Sequence, residues 1–130
     1  MKYVITPDVA LRLARDRAAP GEGVQLLAPT LLRSQVLSLL YRAVQDGELT
    51  RREADADLDH IRSLNLRLLG DRVLQRIAWR LAEQLGWPDT LNAEYVALTQ
   101  LQADALVTLD QHLADAVEGL VTVAPIDDVL

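Results

Sequence analysis

The side chains in this sequence that could do chemistry are its carboxylates, with two histidines and scattered hydroxyls beside them. There is no cysteine, which excludes a thiolate nucleophile, a thiolate zinc site and a disulfide framework. His60 and His112 are far apart and neither has a second ligand at helical spacing, so both read as surface or capping residues. Ser34 and Ser38 lack the histidine and acid that would activate a hydroxyl. Gly21-Glu22-Gly23 has neither the spacing nor the lysine of a phosphate-cradling loop. Trp79 and Trp87 read as core and helix-end packing. With no phenylalanine, the chain offers no stacking platform for single-stranded nucleic acid.

The elements that must position the acids follow from periodicity and capping. Lys2–Ile5 reads as a short strand, after which Thr6 and Pro7 start a helix as N-cap and first helical residue, running to about Asp16. Arg17–Gly23 is a loop and Val24–Leu27 a second strand. Pro29-Thr30 opens a longer helix carrying Leu32, Val36, Leu39, Leu40 and Ala43, ended by Gly47. Thr50 with Glu53 three residues on is a capping box for the next helix. Leu66–Leu69 reads as an edge strand or an extended link, and Asp71 caps a helix that stops at Gly86. Pro88-Asp89 starts another helix, with Asp89 as N-cap and Leu91, Tyr95, Leu98 and Leu101 on one stripe. Ala105–Leu109 is a nearly all-apolar strand expected at the sheet centre, covered on both faces. A short helix follows Asp110, and Leu120–Val123 is a last strand.

Strands alternating with helices predict an α/β fold: one domain over residues 1–130, a three-layer α/β/α sandwich around a short, mainly parallel sheet. Such sheets bind ligands beyond the carboxyl ends of their strands, which directs attention to the residues just past each one. With 19 acids against 13 bases the net charge is −6, which disfavours non-specific binding of a polyanion over the whole surface. The clusters Arg12, Arg15, Arg17 and Arg51-Arg52 read as solvated helix faces. No stretch approaches the ~18 to 20 uninterrupted apolar residues of a membrane span, and the start is too short an apolar run for a signal peptide. A cytoplasmic protein is expected.

Ala28–Leu37, Asn92-Ala93-Glu94-Tyr95 and Leu106–Asp110 with Leu113-Ala114, taken in that order, together resemble the PIN-domain family of VapC-type toxin ribonucleases. Ala28–Leu37 resembles the segment in which a proline opens a helix and a glutamate lies a turn and a half in. Asn92-Ala93-Glu94-Tyr95 resembles the one with an aspartate three residues before a tyrosine. Leu106–Asp110 with Leu113-Ala114 resembles the strand ending in a metal-binding aspartate, and the likeness continues to Gly119-Leu120-Val121. The resemblance implies a cleft where four acids hold Mg2+ or Mn2+ and cleave RNA, a small antitoxin-like partner, and a homodimer.

Carried over residue by residue, the four positions are Thr6, Gln35, Asn92 and Asp110, of which only Asp110 is charged. Hard divalent cations want anionic oxygens, so impaired or absent cleavage is expected, with the metal weakly bound or absent. Asp8 has two readings: in an extended chain it shares a face with Thr6 and replaces the lost ligand, and in a first helical turn it answers the helix dipole. Glu94 lies about 200° around a helix from Asn92 and is expected to face away from it. Two functions stand against each other: a binding module on a PIN-like scaffold, and an active Mg/Mn-dependent endoribonuclease with a rearranged site built on Asp110 and Asp8. A bland α/β domain is the remaining alternative.

Overall fold

The computed structural model describes residues 1–130. The apolar run at the start forms β1 (Lys2–Ile5), followed by α1 (Pro7–Arg15), β2 (Gln25–Pro29), α2 (Leu31–Gln45) and α3 (Arg51–Ser63). Then come β3 (Arg67–Leu69), α4 (Arg72–Leu85), α5 (Leu91–Gln102), β4 (Ala105–Val107), α6 (Gln111–Ala116), β5 (Val123–Ala124) and a closing 3-10 turn, Ile126–Val129. Every strand pairing is parallel, in the order β3-β2-β1-β4-β5, so the sheet is wholly rather than mainly parallel. β1 occupies the centre, with Tyr3 opposite Leu26 on one side and Ala105 on the other. A strand in that position has both faces covered, which is why Val4, Ile5, Leu106 and Val107 are all fully buried.

Helices cover the two faces of the sheet and complete the three-layer α/β/α sandwich. α5 lies across β1, β2 and β4, with α4 packed against it, while α1, α2 and α3 pack on one another. Because α5 is enclosed, Ala93 and the run Tyr95–Thr99 are buried. The single stripe expected for it does not hold, since Leu91 and Leu101 are exposed at its two ends. An amphipathic stripe describes a helix with one wet side, and α5 has little wet side left.

The caps explain several boundaries. Thr50 Oγ1 accepts from the Glu53 amide at 3.1 Å and Glu53 Oε1 accepts from the Thr50 amide at 2.9 Å, so the capping box of α3 is present. Asp71 accepts from the Leu74 amide at 2.9 Å to start α4, and Gly86 ends it at φ 68°, a left-handed conformation that suits glycine. Other boundaries move. Pro29 stays on β2 opposite Leu69, so α2 begins at Leu31 and Thr30 does not cap it. Thr90, not Asp89, is the N-cap residue of α5, with Asp89 accepting from the Leu91 amide at 3.1 Å. β4 stops at Val107, leaving Leu109 exposed, and β5 pairs through Val123 and Ala124 instead of Leu120–Val123.

Two side-chain expectations are corrected as well. Trp79 is 65% exposed on α4 and belongs to no core, whereas Trp87 packs partly buried against it. Arg15 and Arg17 are not a free helix face: they clasp buried Asp57 of α3 at 2.8 and 2.9 Å. His60 Nε2 lies 2.7 Å from the Ala18 carbonyl, tying α3 to the loop after α1.

Candidate active site

The carboxyl ends of β1 and β4 are joined by one side chain. After Ile5 the chain turns at Thr6, whose backbone amide donates to the Val107 carbonyl at 3.2 Å, and Pro7 starts α1. Thr6 is the N-cap of that helix by position, but its hydroxyl does not cap the helix. It donates instead to Asp8 Oδ1, with the Val107 carbonyl 3.4 Å away. The Val9 amide donates to the same Asp8 oxygen at 2.8 Å. Asp8 Oδ2 accepts from the Leu109 amide at 3.2 Å, across from β1 to the segment leaving β4. Asp8 is thus half-buried at the strand ends, in a first helical turn and also turned toward β4.

A second pair lies between α2 and α5. The Tyr95 hydroxyl donates to Gln35 Oε1 at 2.6 Å. Burial, then the charges of Glu94 and Asp8, push the Tyr95 phenol far above its ordinary range. Burial alone raises the Glu94 carboxyl above its usual value. A neutral phenol holding Gln35 is the arrangement these shifts favour.

The structure therefore brings Thr6 to Asp8 at the ends of the central strands and pairs Gln35 with Tyr95 between α2 and α5. Asn92 is exposed on the first turn of α5, and no hydrogen bond links it to this group. Asp110 is exposed and acts as the N-cap of α6, its Oδ1 accepting from His112 and Leu113 amides at 2.9 and 3.2 Å. Sequence reasoning missed the pairing of Tyr95 with Gln35 and the partial burial of Glu94. The signal was the tyrosine itself, a buried phenol needing an acceptor.

Of Asp8 and the four positions carried over, three have acceptor oxygens already engaged within the fold. Asp8 has three donors on its two oxygens, Gln35 has given its carbonyl oxygen to Tyr95, and one Asp110 oxygen caps a helix. No three acidic or histidine side chains converge in a ligating group. What the arrangement can do is hold the strand ends rigidly and present a polar floor.

Beside Asp8 a depression of about 390 Å3 runs between α1, α2 and Leu109, bordered by Leu11, Arg12, Leu39 and Leu40. A separate apolar groove of about 510 Å3 lies between α2 and α3, lined by Leu32, Val36, Leu58, Ile61 and Leu68, with Arg33 and Arg62 at its edge. No helix is long and apolar enough to cross a membrane.

No protein-family model matches the sequence, and no curated protein does. Among solved structures, the chain is similar to the one described as "Crystal structure of PAE2754 from Pyrobaculum aerophilum". The TM-score is 0.72, over 98% of this chain and 93% of that one, at 20% identity. At that identity the likeness is one of fold, and it agrees with the α/β sandwich built up from the strands and helices above.

Proposed function

We propose that this chain is a PIN-like protein of the VapC toxin lineage in which metal-dependent RNA cleavage is impaired or lost, and which works as a binding module. The single observation that carries the proposal is the internal engagement of Asp8, held by the Thr6 hydroxyl and the Val9 and Leu109 amides. A carboxylate so occupied would surrender its hydrogen bonds to become a ligand. The Gln35–Tyr95 bond supports the same reading, because a metal site would need that amide oxygen free. In this reading an antitoxin-like partner lies in the apolar groove between α2 and α3, and the exposed Leu37, Leu39 and Tyr41 on α2 are available for a homodimer contact.

Calorimetric titration with Mn2+, together with cleavage of a fluorogenic RNA, tests the proposal. The expected result is no saturable metal binding at millimolar concentration and no cleavage above that of Asp110→Ala. Metal binding with cleavage abolished by Asp110→Ala would overturn it.

One observation favours the second reading, an active Mg/Mn-dependent endoribonuclease with a rearranged site. Asp8 Oδ2 accepts from the Leu109 amide, one residue before Asp110, so the two carboxylates of that site lie on adjoining segments. On that reading cleavage would vanish in Asp8→Asn as well as in Asp110→Ala.

A further inference from the structure

α4 packs against α5 through Leu74, Ala78, Leu81 and Ala82, and its opposite face is bare. On that face Arg72, Arg76 and Arg80 recur every four residues, with Trp79 between them. Together with Gln75 and Glu83 these residues line a shallow depression of about 510 Å3. None of the three arginines takes part in the ion pairs of the fold, which use Arg15, Arg17, Arg51 and Arg62. A chain of net charge −6 thus gathers three uncommitted guanidinium groups on one helix around an indole left 65% in water. Tryptophan and arginine are the residues that most often anchor protein interfaces.

We propose that the outer face of α4 is a docking surface for an acidic amphipathic helix of a partner protein. The spacing sets the partner's pattern. From Arg72 to Glu83 the helix rises about 17 Å, three turns at ~1.5 Å per residue. A partner helix laid along it would set carboxylates at four-residue spacing against the three arginines and an apolar residue over Trp79. Glu83, at the far end of the depression, would meet a basic residue of the partner and fix its direction. Single-stranded nucleic acid fits less well. It needs successive aromatic platforms where there is one ring, and it would bring phosphates against Glu83. This inference is independent of the strand-end cleft and stands whether or not that cleft retains any chemistry.

The test uses the intact chain and a synthetic helical peptide of about 18 residues, roughly five turns, with glutamates every four residues and leucines on the same face. Indole fluorescence reports binding, and Trp79→Phe shows whether the change comes from that ring. The expected result is saturable binding that weakens with added salt and falls at least about tenfold in Arg76→Glu/Arg80→Glu. Both positions are exposed, and circular dichroism checks that the variant keeps its helices. A peptide of the same composition with scattered glutamates should bind at least several-fold more weakly. The proposal is overturned if the patterned peptide does not saturate, or if the double variant binds it equally well. It is also overturned if an oligouridylate binds more tightly through the same arginines. Self-association of the free chain that disappears in the double variant would assign the surface to a second copy and overturn it too.

Discussion

Asp57 is the one charged residue buried in the fold, and the cost of disturbing it depends on which partner is removed. Its side chain is 3% exposed and holds Arg15 on one oxygen and Arg17 on the other, while the arginines are 43% and 51% exposed. Asp57→Ala deletes both bonds but lets each guanidinium recover water. Charge-assisted bonds contribute ~1.5 to 3 kcal/mol each, and half-exposed cations lie toward the weak end. The expected loss is about 2 to 3 kcal/mol in all. Arg15→Ala/Arg17→Ala deletes the same two bonds, along with the Arg15–Glu53 pair and the Arg17 bond to the Ala14 carbonyl, and leaves a carboxylate out of solvent with no cation, which costs about 3 to 5 kcal/mol. The double arginine variant should therefore be the less stable, although it changes only residues that are half in water. Arg17 also sits at φ 52°, a strained conformation for a residue with a Cβ. Arg17→Gly should consequently lose less stability than Arg17→Ala. Urea unfolding followed by circular dichroism at neutral pH gives the order, provided the slope with urea stays constant. If Asp57→Ala proves as damaging as the double variant, or if neither loses as much as about 1 kcal/mol, the clasp is an ordinary surface pair and the reasoning fails.

Glu94 titrates above its ordinary 4.5 in the folded chain because burial disfavours its charge, so the folded state holds the proton more tightly than the unfolded state. That contribution is favourable at low pH and is lost as pH rises from 4.5 through the folded value. Glu94→Gln should accordingly be more stable than the parent at neutral pH, with no advantage near pH 3, measured by thermal melts across the range. The Tyr95 phenol is raised above its ordinary 10.0, so its contribution to stability disappears only in strong alkali. Tyr95→Phe should cost about 1 kcal/mol at neutral pH for the lost bond to Gln35 and should flatten the alkaline unfolding curve; an unchanged curve would remove Tyr95 from the account. Thr50→Ala breaks the capping box of α3 and should lower stability by about 1 kcal/mol in the same urea experiment, with no change if that cap is not formed in solution.

The parts of the fold written in local chemistry were legible. Thr50 and Glu53 announce α3 because the two side chains satisfy each other's backbone amides within one turn. Asp71 and Gly86 bracket α4 for the same kind of reason. Pro7 and the apolar run before it marked the first strand-to-helix turn. Tertiary contacts decided the rest. Pro29 looked like a helix opener, yet pairing with Leu69 on β3 keeps it in the strand. α5 has no single stripe because it is sandwiched between the sheet and α4, which periodicity in one segment cannot reveal. Trp79 reads as packing in the sequence, and only the arrangement of α4 against α5 turns it to water. At the strand ends the approach of Asp8 to Leu109 spans 101 residues of sequence, and Tyr95 reaches Gln35 across 60. The amide of Gln35 was visible as a missing charge, but its use as an acceptor was not.

The position of β1 has a consequence for how the chain comes together in time. Its first neighbour, β2, follows after some twenty residues, but its second, β4, pairs Tyr3 with Ala105 and Ile5 with Val107. Until that distant strand arrives, the middle of the future sheet is an open edge bearing apolar side chains, and a loop of about a hundred residues must close before the edge is covered. Folding should therefore be slow relative to helix formation, with amides of α3 and α4 protected in pulse-labelling exchange before those of β1 and β4. A chain still lacking its last third is the form most exposed to edge-to-edge association.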